Sequence, residues 1–410
     1  MASPNRIIDL ALLLVMIATQ VIIARRFLPG WRNRLSMPWR AALTALMWLL
    51  WAVVAADGFL TIVSDLFALN WIPSLVKSLV MAVGMIWGLA TTASLVLWWL
   101  FSTPAKLISP EHAPGRRQLL LTAGRLSVAA PFALSAYGFV KRNNFEVKEV
   151  VLPVPGLHPD LEGLRIGQLS DLHVSPYLSV QELGRAVDMM NELRPNLIAV
   201  TGDLITRWGD PLDGAIRELA RLRAEAGVFG CMGNHEEYAR VQAYVTAEAA
   251  RYGMDFLTFA ARQLRFGQAE LNVGGVDYQN SRNRRRYLAG AETLVVPGAT
   301  NLLLSHNPDV FPAAVRQGWN TMLSGHTHGG QVTVEILNQT LNVARFVTPY
   351  VAGLYRLGGA SCYVNSGLGT IAMPVRLGAP PEITLLRLTR AEGPANKPST
   401  VGGSSMGARV

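Results

Sequence analysis

Five of the seven histidines in the chain, His173, His235, His306, His326 and His328, each follow a short apolar run and stand beside Asp, Asn, Gly or another His. Asp171-Leu172-His173 puts a carboxylate and an imidazole at i and i+2, which share a face in extended chain and can grip one ion. Asp203 closes Thr201-Gly202-Asp203. A carboxylate has lone pairs enough to bridge two cations about 3.5–4 Å apart, and Gly202 lets backbone approach it closely. Gly233-Asn234-His235-Glu236 adds an amide oxygen, an imidazole and an acid, Ser305-His306 another imidazole, and Gly325-His326-Thr327-His328-Gly329-Gly330-Gln331 two more on one face. One His-x-His pair arises by chance in about one such chain in ten and decides nothing. Five such positions together are far harder to reach by chance. Nitrogen and oxygen donors without thiolate suit Mn, Fe or Zn, so the expected cofactor is a pair of divalent metal ions of one of these kinds.

Such a set needs a scaffold that ends several strands at one place. Residues 164–169, 196–201, 227–232, 293–296, 300–305 and 321–324 read as buried strands, with helical stretches at 180–193 and 213–226. Strand–helix alternation predicts an α/β domain over 146–390 with a central sheet. In such sheets, chemistry sits on the loops beyond the carboxyl ends of the strands, and the five histidines fall there. Residues 391–410, rich in Ser, Gly, Ala and Pro, read as a disordered tail.

These blocks, in this order, closely resemble the calcineurin-like metallophosphoesterase superfamily over roughly residues 160–390, and in particular its branch of transmembrane proteins with a metallophosphoesterase domain. That branch also has the late Asn365-Ser366-Gly367-Leu368-Gly369, Arg376 and Pro380-Pro381-Glu382 found here. The resemblance implies an αββα sandwich. It implies that Asp171, His173 and His328 hold one metal, Asn234, His306 and His326 the second, and that Asp203 bridges. It implies a metal-activated hydroxide that attacks phosphorus, with His235 as general acid. Glu236 stands where many members have Asp and is expected to orient its neighbour.

The rest of the chain reads differently. Only 16% of the 410 residues are charged and 50% are hydrophobic, yet the net charge is +9. Residues 1–150 hold 14 Lys/Arg against 6 Asp/Glu, and residues 151–410 hold 23 against 22, so the excess lies almost wholly in the first part. Four apolar stretches there, 7–23, 41–63, 78–101 and 119–140, have lengths near the ~20 residues a bilayer requires. They predict an all-α transmembrane region of about four helices in residues 1–145. Eight of ten tryptophans precede residue 102, several near the expected helix ends where an interfacial belt would put them. The basic charge is therefore a topology signal, and the expected partner is the lipid bilayer, not nucleic acid. Arg25, Arg26, Arg32, Arg34 and Arg40 mark the first connection, and Lys106, Arg116 and Arg117 the third, as cytoplasmic. Four spans then put the catalytic part outside the cytoplasm, in the periplasm or cell exterior for a multi-pass protein of the cell inner membrane. The two cysteines, Cys231 and Cys362, are too few for a disulfide framework, and the run Ser281–Arg286 reads as a solvated basic loop.

The expected function is a membrane-anchored, metal-dependent phosphoric ester hydrolase acting on a phosphodiester or phospholipid-type substrate. The resemblance also admits a pyrophosphatase acting on a nucleotide-activated lipid A precursor, UDP-2,3-diacylglucosamine, which would need a cytoplasmic site. A non-catalytic metal-binding regulatory domain on a membrane protein would have no need of His235. A transporter would show paired charges inside its spans, where only Asp9, Asp57 and Arg125 lie. Reporter fusions after residue 142 and at the carboxyl terminus are expected to report an extracytoplasmic position. An active cytoplasmic reporter at either junction would overturn the topology.

Overall fold

The computed structural model describes residues 4–26, 36–63, 72–108, 113–336 and 339–391. The expected tail beyond Ala391 and the middle of each of the first two connections, 27–35 and 64–71, fall outside them. The helices up to Val140 form one unit, and the chain from Lys141 forms the bulk of a second.

The first unit is built of α1 (Pro4–Arg26), α2 (Met37–Val63), α3 (Ser74–Leu107), α4 (Pro114–Ser127) and α5 (Ala130–Lys141). Three segments are long and apolar enough to cross a membrane: 37–56, 75–107 and 114–141, the last formed by α4 and α5 together. Protein covers only 11%, 33% and 11% of their most apolar windows. By length and composition these helices match what a bilayer requires. The remaining expected span, 7–23, lies within α1. The stretch 119–140, expected as one span, is interrupted at Val128–Ala129, where Pro131 has no N–H with which to continue the ladder. Polar groups buried between α1 and α3 find partners across the pair. Gln20 Nε2 donates to Thr91 Oγ1 (2.7 Å), Trp87 Nε1 donates to Gln20 Oε1 (3.1 Å), and Thr92 Oγ1 donates to Thr19 Oγ1 (3.2 Å).

The second unit is a two-sheet sandwich. Its strands are β1 (Glu146–Pro155), β2 (Arg165–Leu169), β3 (Leu197–Thr201), β4 (Val228–Cys231), β5 (Met254–Phe256), β6 (Ala260–Phe266), β7 (Ala269–Gly275), β8 (Thr300–Leu304), β9 (Thr321–Ser324), β10 (Thr333–Ile336), β11 (Gln339–Asn342), β12 (Gly353–Leu357), β13 (Ala360–Val364) and β14 (Glu382–Ala391). One sheet runs β1-β14-β2-β3-β4-β5, the other β12-β13-β9-β8-β7-β6, and β10-β11 is a separate hairpin. The pairs β2-β3, β3-β4 and β8-β9 are parallel. Alternation along each strand assigns the layers. Leu197 and Ala199 of β3 join Ile166, Leu302 and Leu323 between the sheets. Ile198 and Val200 instead face α6 (Val180–Glu192), α7 (Leu212–Leu219) and α9 (Gln242–Arg251) through Val187, Met190, Ile216 and Val245. The short α8 (Asn234–Ala239) precedes α9, and α10 (Phe311–Gln317) covers the outer face of the second sheet. The order of layers is αββα.

Two local expectations differ. The run 293–296 is no strand, because a 3-10 turn spans Ala291–Leu294 and Thr293 Oγ1 donates to Gly290 O (2.7 Å). A run of three to four residues is too short to outcompete that local bond, and β8 takes β7 as its neighbour instead. Helix α7 ends at Leu219, short of Ala226. There Arg223 N is taken by Asn191 Oδ1 and Ala226 N by Asn196 O, which turns the chain into β4.

Glu382, 1% exposed, ties three strands together. Its carboxylate accepts from Lys148 Nζ of β1 (2.6 Å), Tyr363 OH of β13 (2.5 Å) and Thr384 Oγ1 (2.6 Å). Burial alone would raise its pKa, but Lys148 and the two hydroxyls hold it below the usual carboxylate range. Its contribution is therefore fully present above the ordinary glutamate value and is lost as pH falls through the lower folded value. Glu382→Gln is expected to lower stability by about 1–3 kcal/mol, read as a lower thermal midpoint for the full chain at pH 7, with the gap to wild type narrowing in acid. An unchanged midpoint would contradict this.

Candidate metal centre

Each site residue follows the carboxyl end of a parallel strand: Asp171 and His173 after β2, Asp203 after β3, Asn234 and His235 after β4, His306 after β8, and His326 and His328 after β9. Two sheets thus deliver their strand ends to one point, and the structure brings all of these residues together.

The way they turn inward differs from the extended face expected of Asp171 and His173. Asp171 (φ 47°), His173 (φ 46°), Asp203 (φ 56°), His326 (φ 74°) and His328 (φ 52°) all sit in the left-handed region. Each costs about 1–2 kcal/mol for a residue with a Cβ. Such strain persists only where surroundings over-determine it, typically at functional sites. The same kinks divide His326 from His328, which join different groups in place of one shared face. Close packing of the loops adds a second constraint. A Cβ on Gly202 (φ 87°) would lie 2.6 Å from Gly233 N, and one on Gly325 would lie 1.9 Å from Ser170 Oγ.

Donor atoms fall into two neighbouring sets. Asp171, His173 and His328 offer atoms within 4.8 Å of one another, as do Asp203, His306 and His326. Asp203 Oδ2 stands between them, 3.5 Å from His173 Nε2 and 3.0 Å from His306 Nε2. In the first set, His173 Nε2 and His328 Nε2 face each other at 3.1 Å, and His328 Nε2 is 3.4 Å from Asp171 Oδ1. His235 also comes within 4.8 Å of His173 and Asp203, so distance alone does not separate it from the ligands.

The electrostatics favour metal. Burial, together with His235 nearby, pushes His173 down to about 3, burial and His306 push His326 to about 3, and burial and His173 hold His328 well below its ordinary value. All three imidazoles are neutral at pH 7 and keep a lone pair. Burial works against the Asp203 carboxylate, yet His306, His235 and His173 hold it well below the usual range. Burial raises Asp171 to about 6. Burial would also depress His306, but Asp203 and Asp171 raise it to about 10. Of the site's buried atoms, Asn234 Oδ1 has no hydrogen-bond partner. Orphaned buried acceptors are costly, and an amide oxygen beside imidazole and carboxylate is a fitting donor set for Mn, Fe or Zn. Thiolate has no part in it: Cys231 is buried, and burial pushes its thiol up.

Surrounding bonds fix the rings. Thr206 serves twice, with Oγ1 3.2 Å from His173 Nδ1 and its carbonyl bonded to His235 Nδ1. Thr201 O accepts from His306 Nδ1 (2.7 Å). Thr206 has no motif to mark it, and the short bridge Val174–Ile205 is what brings it to His173. Glu236, expected to orient His235, has other partners. Its carboxylate accepts from the amides of Asp203, Leu204 and Gly233, each at 2.8 Å. It holds the two loops together while a backbone carbonyl aligns His235. Arg376, buried at 2% exposure, donates to the carbonyls of Ser366, Gly367, Gly369 and Ala379 and holds the loop that follows β13. The basic run forms an exposed 3-10 segment whose Arg284 lies 3.7 Å from Asp309.

Residues 164–347 match the calcineurin-like phosphoesterase family. The chain is 28% identical over 290 residues to an uncharacterized metallophosphoesterase of Bacillus subtilis, which covers 67% of this chain and 97% of that protein. It is 30% identical over 296 residues to a transmembrane protein with metallophosphoesterase domain from Danio rerio, covering 69% and 66%. It is 29% identical over 231 residues to a phosphodiesterase of Escherichia coli, covering 54% and 80%. The chain therefore spans nearly all of the Bacillus protein but just under two thirds of the Danio rerio one.

Because His306 carries a proton up to about pH 10 in the metal-free site, metal loading at pH 8 is expected to release close to one proton per chain. Because Asp171 protonates near 6, affinity is expected to fall steeply below that pH. Calorimetric titration in buffers of different ionisation enthalpy measures the release, and loading without proton release would contradict the assignment.

Proposed function

We propose, from the premise that this chain carries a calcineurin-like phosphoesterase domain, that it is a membrane-anchored dinuclear phosphoesterase that cleaves a phosphodiester or phospholipid-type substrate at the membrane surface. The observation that carries this reading is the pair of donor sets with Asp203 Oδ2 between them, and Asn234 Oδ1 left unpaired beside it. The apolar helices before residue 141 support the anchor. Relatives named as a transmembrane protein with such a domain and as a phosphodiesterase support the pairing of anchor and chemistry. The basic first and third connections support a catalytic part outside the cytoplasm.

In this reading Asp171, His173 and His328 would hold one cation, Asn234, His306 and His326 would hold the other, and Asp203 would serve both. When bound, the pair supplies Lewis acidity toward phosphoryl oxygens and a water acidic enough to serve as a nucleophile near neutral pH. The protein's own part is to keep Asp203 ionised and His173, His326 and His328 neutral, and to hold the donors aligned. Asp203 stays ionised among imidazoles, His173 and His306 are locked by Thr206 and Thr201, and burial excludes competing water. His235 is the proton donor to the leaving oxygen. Its Nδ1 is engaged by the Thr206 carbonyl, which fixes the ring and leaves Nε2 for the substrate. Tyr238, with its ring centroid 5.6 Å from that of His235, flanks the same position.

Purified full-length protein with Mn²⁺ is expected to hydrolyse bis(p-nitrophenyl) phosphate. His235→Ala should lower kcat about 10²–10⁴-fold with the metal content unchanged, and Asp203→Asn should abolish turnover and metal retention together. Wild-type rates in either variant would sink the assignment.

A further inference from the structure

A groove of about 470 Å³ lies between the last turns of α1 and α3 in the helical unit. Ile22, Leu95 and Val96 make its wall apolar. Its floor carries charge, because Arg26 and Lys106 both converge on Trp98, at 5.6 Å and 5.9 Å from the ring centroid. Neither cation has an ion-pair partner among the described residues. Two like charges gathered on one indole repel each other, and cation–π attraction at exposed sites is weak enough to offset this only in part. An anion between them would reverse the sign of that interaction. A third observation points the same way. Ser102 lines the groove, is 4% exposed, and its Oγ has no hydrogen-bond partner. A helical serine ordinarily bonds back to a carbonyl of the preceding turn, so this hydroxyl is a free donor beside the two cations.

We propose that this groove binds one anionic phospholipid, with its phosphate between Arg26 and Lys106, a hydrogen bond from Ser102, and an acyl chain along Ile22, Leu95 and Val96. The occupant is a lipid because an apolar wall runs directly into the paired cations, and because the surrounding helices are solvated by lipid. Both cations also end helices that lead into the connections read as cytoplasmic, where anionic headgroups concentrate. The proposal rests on α1 and α3 crossing a bilayer. It is independent of the metal centre, and its test does not read catalysis.

The full chain in a neutral detergent would be titrated with dioleoylphosphatidylglycerol and, separately, dioleoylphosphatidylcholine, and followed by native mass spectrometry. Wild type is expected to take up one phosphatidylglycerol in clear preference to phosphatidylcholine. Arg26→Gln with Lys106→Gln should weaken that binding by about twenty-fivefold, at roughly fivefold per cation. Val96→Trp, which fills the wall without changing charge, should also weaken it. Arg116→Gln with Arg117→Gln, which removes the same charge elsewhere in the unit, should leave it intact. Equal uptake of the two lipids would overturn the proposal. So would wild-type binding in the Arg26/Lys106 double variant or in Val96→Trp, or an equal loss in the Arg116/Arg117 control.

Discussion

Asp203 is a buried carboxylate where the strand ends of both sheets meet, with His306 and His173 imidazoles 3.0 and 3.5 Å from one of its oxygens. Removing such a group from water is tolerable only if positive charge surrounds it. Without metal, a protonated His306 supplies part of that charge. Two cations would supply far more, and would also pair the orphaned Asn234 Oδ1. The requirement to assemble charge around this oxygen, and not around a surface group, explains why donors arrive from both sheets.

The rest of the second unit can be read as what that assembly demands. Parallel strands bring successive loops to one edge. Left-handed backbone at five donors turns the side chains inward over one or two residues, and glycines at 202 and 325 let the loops touch. Glu236 takes three amides from two loops, so the backbone around Asp203 and Asn234 moves as one piece. Residues that touch no metal therefore set the precision of those that would.

Much of this was legible in the sequence for a physical reason. Ligands have to be His, Asp or Asn, and they have to follow buried strands, so residue type and position both marked the blocks. Donor division was not legible from spacing alone, since Asp-x-His and His-x-His suggest a shared extended face and the backbone instead kinks at each of these residues. Thr206 acts through a backbone carbonyl and a hydroxyl that any loop could offer, so no residue pattern reveals it. Glu236 and Glu382 were visible as motif letters, but their partners, three amides in one case and Lys148 and Tyr363 in the other, come from distant chain. The turn at residues 291–294 and the break at 128–129 were missed because local hydrogen bonding and Pro131 outweighed apolar composition.

The helical unit obeys a simpler rule: its apolar lengths match a bilayer, and buried polar groups such as Gln20 pair across helices. The central claim concerns the other unit, that Asp203 is shared by two cations. Anomalous scattering from crystals of the manganese-loaded full chain tests it most directly. Two peaks about 3.5–4 Å apart are expected, both within bonding distance of Asp203, with Asn234 on one and His235 on neither. A single peak, or a second one ligated by His235, would contradict it.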